Sequence, residues 1–139
     1  MIKLIIGNKG SGKTKKDSLS LLTPVLRIRT AMLFALKNTP KLTYDISSKA
    51  RLLETETYSI NGCKAFYGFL AGICAGNYDV TDVLIDATFK IVGRDYSKLP
   101  QFFDMLSELS EATDVNFYFT ISCDKEDLPV EIFDYCEEL

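Results

Sequence analysis

A chain of 139 residues, 47% hydrophobic and 25% charged, carries enough material for one globular core and too little for a second independent one. Its formal net charge of −3, with no basic stripe among aromatics, argues against general nucleic-acid binding, and the absence of histidine excludes cysteine–histidine and serine–histidine catalysis. Charges interrupt every apolar stretch before membrane-spanning length and no signal-peptide pattern precedes the first one, so a cytoplasmic location without a membrane partner is expected.

Taken in order, the chain opens on residues 2–6, IKLII, a short apolar run suited to a buried parallel strand. It leads directly into Gly7-Asn8-Lys9-Gly10-Ser11-Gly12-Lys13-Thr14, which meets the phosphate-loop pattern G-x-x-x-x-G-K-[ST] at every constrained position. Glycines at 7 and 12 allow a tight turn and a close approach of backbone to phosphate oxygens. Successive N–H groups then form an anion nest, and a helix beginning near Lys13 adds its positive end. In such a loop the Lys13 ammonium bridges β- and γ-phosphates and the Thr14 hydroxyl takes Mg²⁺. The bland alternative is a glycine-rich turn between a strand and a helix. Lys9, Lys15 and Lys16 add positive charge locally, as solvated lysines also do.

The spacing predicts a helix from about Gly12 through Leu22, broken at Pro24. Residues 25–36, VLRIRTAMLFAL, read as a second helix on composition, although VLRIR alternates like a strand. Two short extended segments follow at 42–46 and 51–54, then a turn and helix entry at Ser59-Ile60-Asn61-Gly62. Over 63–75 the apolar positions Ala65, Phe66, Phe69, Leu70, Ile73 and Cys74 recur at helical spacing, and Gly76-Asn77 closes the helix. Gly68 and Gly72, four apart on it, suggest close packing against a sheet. TDVLID at 81–86 reads as a strand ending in an acid. Residues 97–112 form an amphipathic helix with Leu99, Phe102, Phe103, Leu106 and Leu109 inward. VNFYFTIS at 115–122 is a further strand, and 129–137 a last helix entered through Leu128-Pro129.

A phosphate loop needs a carboxylate for Mg²⁺, held directly or through water at the carboxyl end of a nearby buried strand. Asp86, after Val83-Leu84-Ile85, fits; Asp79 and Asp82 precede the apolar run and belong at the wrong end. The next residue is Ala87, where many hydrolysing ATPases carry a water-orienting Glu, so fast hydrolysis is not expected. Thr120 and Ser122 can sense a γ-phosphate if their strand lies beside the loop strand; the plain reading is polar residues at a strand end. Lys90 and Arg94 read either as phosphate-contacting cations or as solvated charges. Cys63, Cys74, Cys123 and Cys136 form no C-x-x-C pair, which gives no reason to expect zinc, and Cys63 and Cys74 read as small apolar helix residues.

Strands alternating with helices predict an α/β fold: a P-loop NTPase-like three-layer sandwich, one domain over 1–139, with a mainly parallel sheet of about four to five strands. GNKGSGKTK, KLTYDISSKARL and GFLAGICAGNYDVTDVLIDATFKIVG together resemble a family of short bacterial P-loop ATP-binding proteins, some of which carry a twitching-motility ATPase label. The resemblance covers 1–16 and about 40–139 and implies a stand-alone nucleotide-binding domain, with Gly7 to Thr14 and Asp86 carried over. The chain lacks the length and histidine motifs that the motility label would require. Residues 17–39 depart from the pattern: the resemblance implies an unbroken helix, a turn and a second strand resembling GNVVCIEK. One hypothesis for this is a compensated frameshift, since the degenerate codons for TAMLFALK permit GNVVCIE in another frame; on that hypothesis the second strand is expected to be lost.

The functional expectation is binding of ATP or another nucleoside triphosphate with Mg²⁺, with slow hydrolysis or a switch role. Adenine is favoured because the guanine-reading N-K-x-D pattern has no convincing match. The alternatives are a nucleoside or small-molecule kinase, to which Asp86-Ala87-Thr88-Phe89 is faintly similar, and a non-hydrolysing nucleotide-binding interaction module. No protein partner is indicated.

Overall fold

The computed structural model describes residues 1–7, the backbone of 31–35, and residues 51–77 and 79–139. Among the described residues six strands form one sheet in the order β3-β2-β4-β5-β1-β6: β1 (Ile2–Ile6), β2 (Ala31–Ala35), β3 (Arg51–Glu54), β4 (Asp82–Ile85), β5 (Asn116–Ile121) and β6 (Glu137–Glu138). All five pairings are parallel, so every carboxyl end lies along the same edge. The helices among the described residues are α1 (Cys63–Gly76), α2 (Thr88–Val92) and α3 (Leu99–Thr113). None of them is long and apolar enough to cross a membrane.

Parallel neighbours need crossover connections, and these are right-handed. The chain passes from β3 through α1 to β4, and from β4 through α2 and α3 to β5, moving the same way along the sheet each time. Right-handed crossovers in one direction put their helices on one face, and α1 and α3 do pack together, Phe66 stacking on Phe102 at 5.9 Å between ring centroids.

Strand alternation supplies the other half of that core. Ile2, Leu4 and Ile6 of β1, Val83 and Ile85 of β4, and Phe117, Phe119 and Ile121 of β5 join Phe66, Leu70, Phe102, Phe103 and Leu106 in one buried cluster. Each such side chain contributes about 1.5–3 kcal/mol on leaving water. The intervening residues Ile5, Leu84 and Tyr118 point to the opposite face and are also buried. A parallel sheet covered on both faces explains why IKLII and VLI read as unbroken apolar runs.

Several expectations need correction. Residues 31–35, expected within a helix, form β2, hydrogen-bonded between β3 and β4 with Ala31 opposite Asp82 and Phe34 opposite Leu53. The slot between two strands offers the backbone of AMLFA ladder partners on both sides, which outweighs its modest helical propensity. The second strand that the frameshift reading would remove is therefore present. The expected last helix is a 3-10 turn, Val130–Asp134, followed by β6. The Tyr135 and Cys136 amides share the Ile132 carbonyl at 3.0 Å each, and the chain then pairs with the free edge of β1, Leu139 N–H donating to Leu4 O at 2.8 Å. Gly68 and Gly72 face open space and do not pack closely: a Cβ at either would meet nothing within 4 Å. In α3 the expected inward residues hold, Leu99, Phe102, Phe103 and Leu106 fully and Leu109 as a partly buried residue packed against the same cluster, and Ser110 is buried beside them. The helix predicted after Gly12 and the extended segment at 42–46 lie outside the described residues.

Candidate functional site

The strand order marks where an α/β sheet is expected to open a crevice, before any side chain is considered. From β1 the chain goes to β2, on the β4 side of the sheet; from β5, the neighbour of β1, it goes to β6, beyond β1. Adjacent strands whose onward connections part in opposite directions leave a gap at their carboxyl ends, where α/β proteins bind ligands. At that gap β1 is followed by Gly7, whose N–H donates to Ile121 O of β5 at 3.0 Å. The residue that opens the phosphate-loop motif of the sequence therefore stands at the switch point, while Asn8, Lys9, Gly10, Ser11, Gly12, Lys13 and Thr14 lie outside the described residues.

Asp86 follows β4 at the same edge, with β5 between it and the loop strand. It lies about 10 Å from β1, two strand spacings away. Its competitors are at the other end of the strand. Asp82 begins β4 and is buried against Thr81, Asn116 and Tyr118, and Asp79 pairs with Arg51.

Asp86 is itself buried, at 2% exposure. A carboxylate so placed needs a donor, and Thr120 Oγ1 lies 2.7 Å from its Oδ1. The pairing follows from register. Ile85 lies opposite Phe119, so Asp86 comes beside Thr120, which itself lies opposite Ile5 of β1. The condition set for Thr120 and Ser122 is thus met, since their strand is the neighbour of the loop strand. The hydroxyl of Thr120, however, is engaged within the protein, accepting from Ala87 N–H at 2.9 Å. Hydrogen bonds to a charged acceptor contribute about 1.5–3 kcal/mol each.

Between Asp86 and α2 the backbone turns sharply. Ala87 takes φ 54° and ψ 51°, a left-handed conformation that costs a residue with a Cβ about 1–2 kcal/mol. Thr88 begins α2, and its buried hydroxyl has no hydrogen-bond partner among the described residues. The helix ends on Gly93 at φ 83°, and the Ile91 carbonyl accepts from Gly62 N–H at 2.9 Å, tying α2 to the entry of α1. Sequence periodicity had not picked out this five-residue, partly β-branched helix.

The turn beyond Gly93 brings Arg94 to the same edge. Its Nη1 donates to Tyr96 Oη at 3.0 Å and Ser122 O at 3.4 Å, and the guanidinium lies 5.1 Å from the Phe89 ring centroid. Among the described residues these contacts are all with neutral groups, at the end of β5. The field of Arg94 reaches Cys123: burial pushes that thiol up, Asp127 adds to the shift and Arg94 opposes it. Lys90, by contrast, is exposed in the last turn of α2.

The donors at this edge are hard oxygens, a buried carboxylate and neighbouring hydroxyls. That set fits Mg²⁺, which takes one or two carboxylates and completes its shell with waters and phosphate oxygens. Among the described residues no cluster of three acids or cysteines forms a closed metal cage. All four cysteines are unpaired. No protein-family model and no curated protein sequence matches the chain.

Proposed function

We propose that the chain is a small P-loop domain that binds ATP with Mg²⁺ and acts as a slow NTPase or a nucleotide switch. The observation that carries the reading is one coincidence. The residue that opens a complete phosphate-loop motif and the acid expected to serve the metal lie at the same sheet edge, flanking a switch point. The strand order, with β5 interposed between the loop strand and the Asp86 strand, supports a P-loop NTPase-like three-layer sandwich. Likeness to short bacterial P-loop ATP-binding proteins belongs to the same reading. So does a cytoplasmic setting, which suits a chain with four unpaired cysteines.

In this reading Gly7 to Thr14 wrap the phosphates, Lys13 neutralises the β- and γ-phosphate oxygens, and Thr14 with Asp86 would hold Mg²⁺. The metal, when bound, supplies further neutralisation of phosphate charge. Slow turnover follows from Ala87, a methyl group where a water-orienting acid would stand, in a turn tied back to Thr120. The kinase alternative gains nothing from Phe89, which is buried against Tyr96 with ring centroids 4.9 Å apart.

The test is titration of ATP and GTP with and without Mg²⁺, followed by a phosphate-release assay and a nucleoside acceptor panel. Expected are Mg²⁺-strengthened ATP binding, slow release of phosphate and no transfer to nucleosides. A chain that binds no nucleotide overturns the proposal, and transfer to a nucleoside replaces it with the kinase reading.

A further inference from the structure

Thr120 holds two groups of the candidate site at once. The residue is nine-tenths buried, at 8% exposure, on the face of β5 opposite the one that packs against α1 and α3. A hydroxyl has one proton. Because Ala87 N–H donates to Oγ1 at 2.9 Å, the proton of Thr120 is the one in the 2.7 Å contact with Asp86 Oδ1. Donation to a carboxylate is charge-assisted, short and directional, so it fixes the rotation of the Asp86 carboxylate. The same hydroxyl anchors the amide of the left-handed turn that follows. A proton committed to Asp86 is not available to a γ-phosphate, which changes what this strand-end hydroxyl can do.

We propose that Thr120 is a positioning residue for the metal half of the site: by holding Asp86 it makes Mg²⁺ strengthen nucleotide binding. The inference rests on the ATP and Mg²⁺ reading above. Partners that hydrogen-bond a ligating carboxylate orient it, and losing one typically costs about 10- to 100-fold in metal affinity. Thr120 acts through Asp86, so its contribution vanishes where Asp86 no longer serves the metal.

The experiment measures ATP affinity by calorimetry, with Mg²⁺ and with a chelator, on the full chain and its variants. In Thr120→Val, binding in chelator stays within about twofold of wild type while the Mg²⁺-linked gain falls about tenfold or more. Thr120→Ser, which keeps the hydroxyl, restores the gain. In an Asp86→Asn background, Thr120→Val changes the Mg²⁺ dependence no further. Should Thr120→Val melt below the assay temperature, Thr120→Cys, a weak donor of similar shape, carries the same comparison and loses part of the gain. The inference is overturned if Thr120→Val keeps the full gain, if Thr120→Ser fails to restore it, or if wild type binds ATP with no gain from Mg²⁺. A wild-type chain that binds no nucleotide at all removes the underlying reading, an outcome the chelator arm distinguishes from the others.

Discussion

Replacing Phe119 by leucine tests whether the two faces of β5 do separate work. Phe119, on the strand that lies between β4 and β1, is fully buried against α3, its ring edge-on to Phe103 at 5.3 Å and to Phe102 at 6.1 Å. Phe119→Leu keeps most of the volume but loses both ring pairs, each worth about 0.5–1.5 kcal/mol beyond area burial. Some strain from the change of shape adds to this, so the expected destabilisation is about 2 kcal/mol, against about 3–5 kcal/mol for Phe119→Ala. Urea unfolding followed by circular dichroism reads it, as a lower midpoint with an unchanged slope. The adjacent Thr120 faces the other way, so ATP affinity and its Mg²⁺ dependence should stay at wild-type values. A loss below about 0.5 kcal/mol would refute the assigned packing. A changed Mg²⁺ dependence in a well-folded Phe119→Leu chain would refute the separation of faces.

Ala87→Gly should stabilise the chain by about 0.5–1 kcal/mol, because glycine relieves the left-handed penalty and gives back part of it in unfolded-state entropy. Ala87→Val should destabilise it, and thermal melts of the pair that show no opposite shifts would contradict the turn geometry. Burial pushes the Cys136 thiol from its ordinary 9.0 up to about 12, so the folded state keeps a proton that the unfolded state releases. That contribution to stability is complete below about pH 9 and is lost as pH rises toward 12, with a slope of at most about 1.4 kcal/mol per pH unit. Alkaline melts of Cys136→Ala should fall less steeply than those of wild type, and identical slopes would sink the assignment.

The strands β1, β4 and β5 and the helices α1 and α3 were legible because each has a strong apolar run or a helical stripe. AMLFA was not, because its strand character comes from the slot between β3 and β4, which no local pattern records. β6 was missed for a related reason: two glutamates make a strand only beside the open edge of β1, where Lys3 pairs with Glu137 at 2.7 Å. Within the site, Asp86 could be read from an apolar run ending in an acid. The bond that Thr120 makes to it depends on the register of β4 against β5, and register is a tertiary property. Arg94 was visible as a charge; its place beside Ser122 needed the turn after Gly93, at a φ of 83°.

In the proposed function a phosphate loop beginning at Gly7 and an acid at Asp86 form one nucleotide–Mg²⁺ site. Calorimetric titration of ATP into wild type, Lys13→Ala and Asp86→Asn, each with Mg²⁺ and with chelator, tests it most directly. Expected are Mg²⁺-strengthened binding in wild type, none in Lys13→Ala, and binding that no longer responds to Mg²⁺ in Asp86→Asn. Wild-type affinity in Lys13→Ala, or an undiminished Mg²⁺ response in Asp86→Asn, would contradict it.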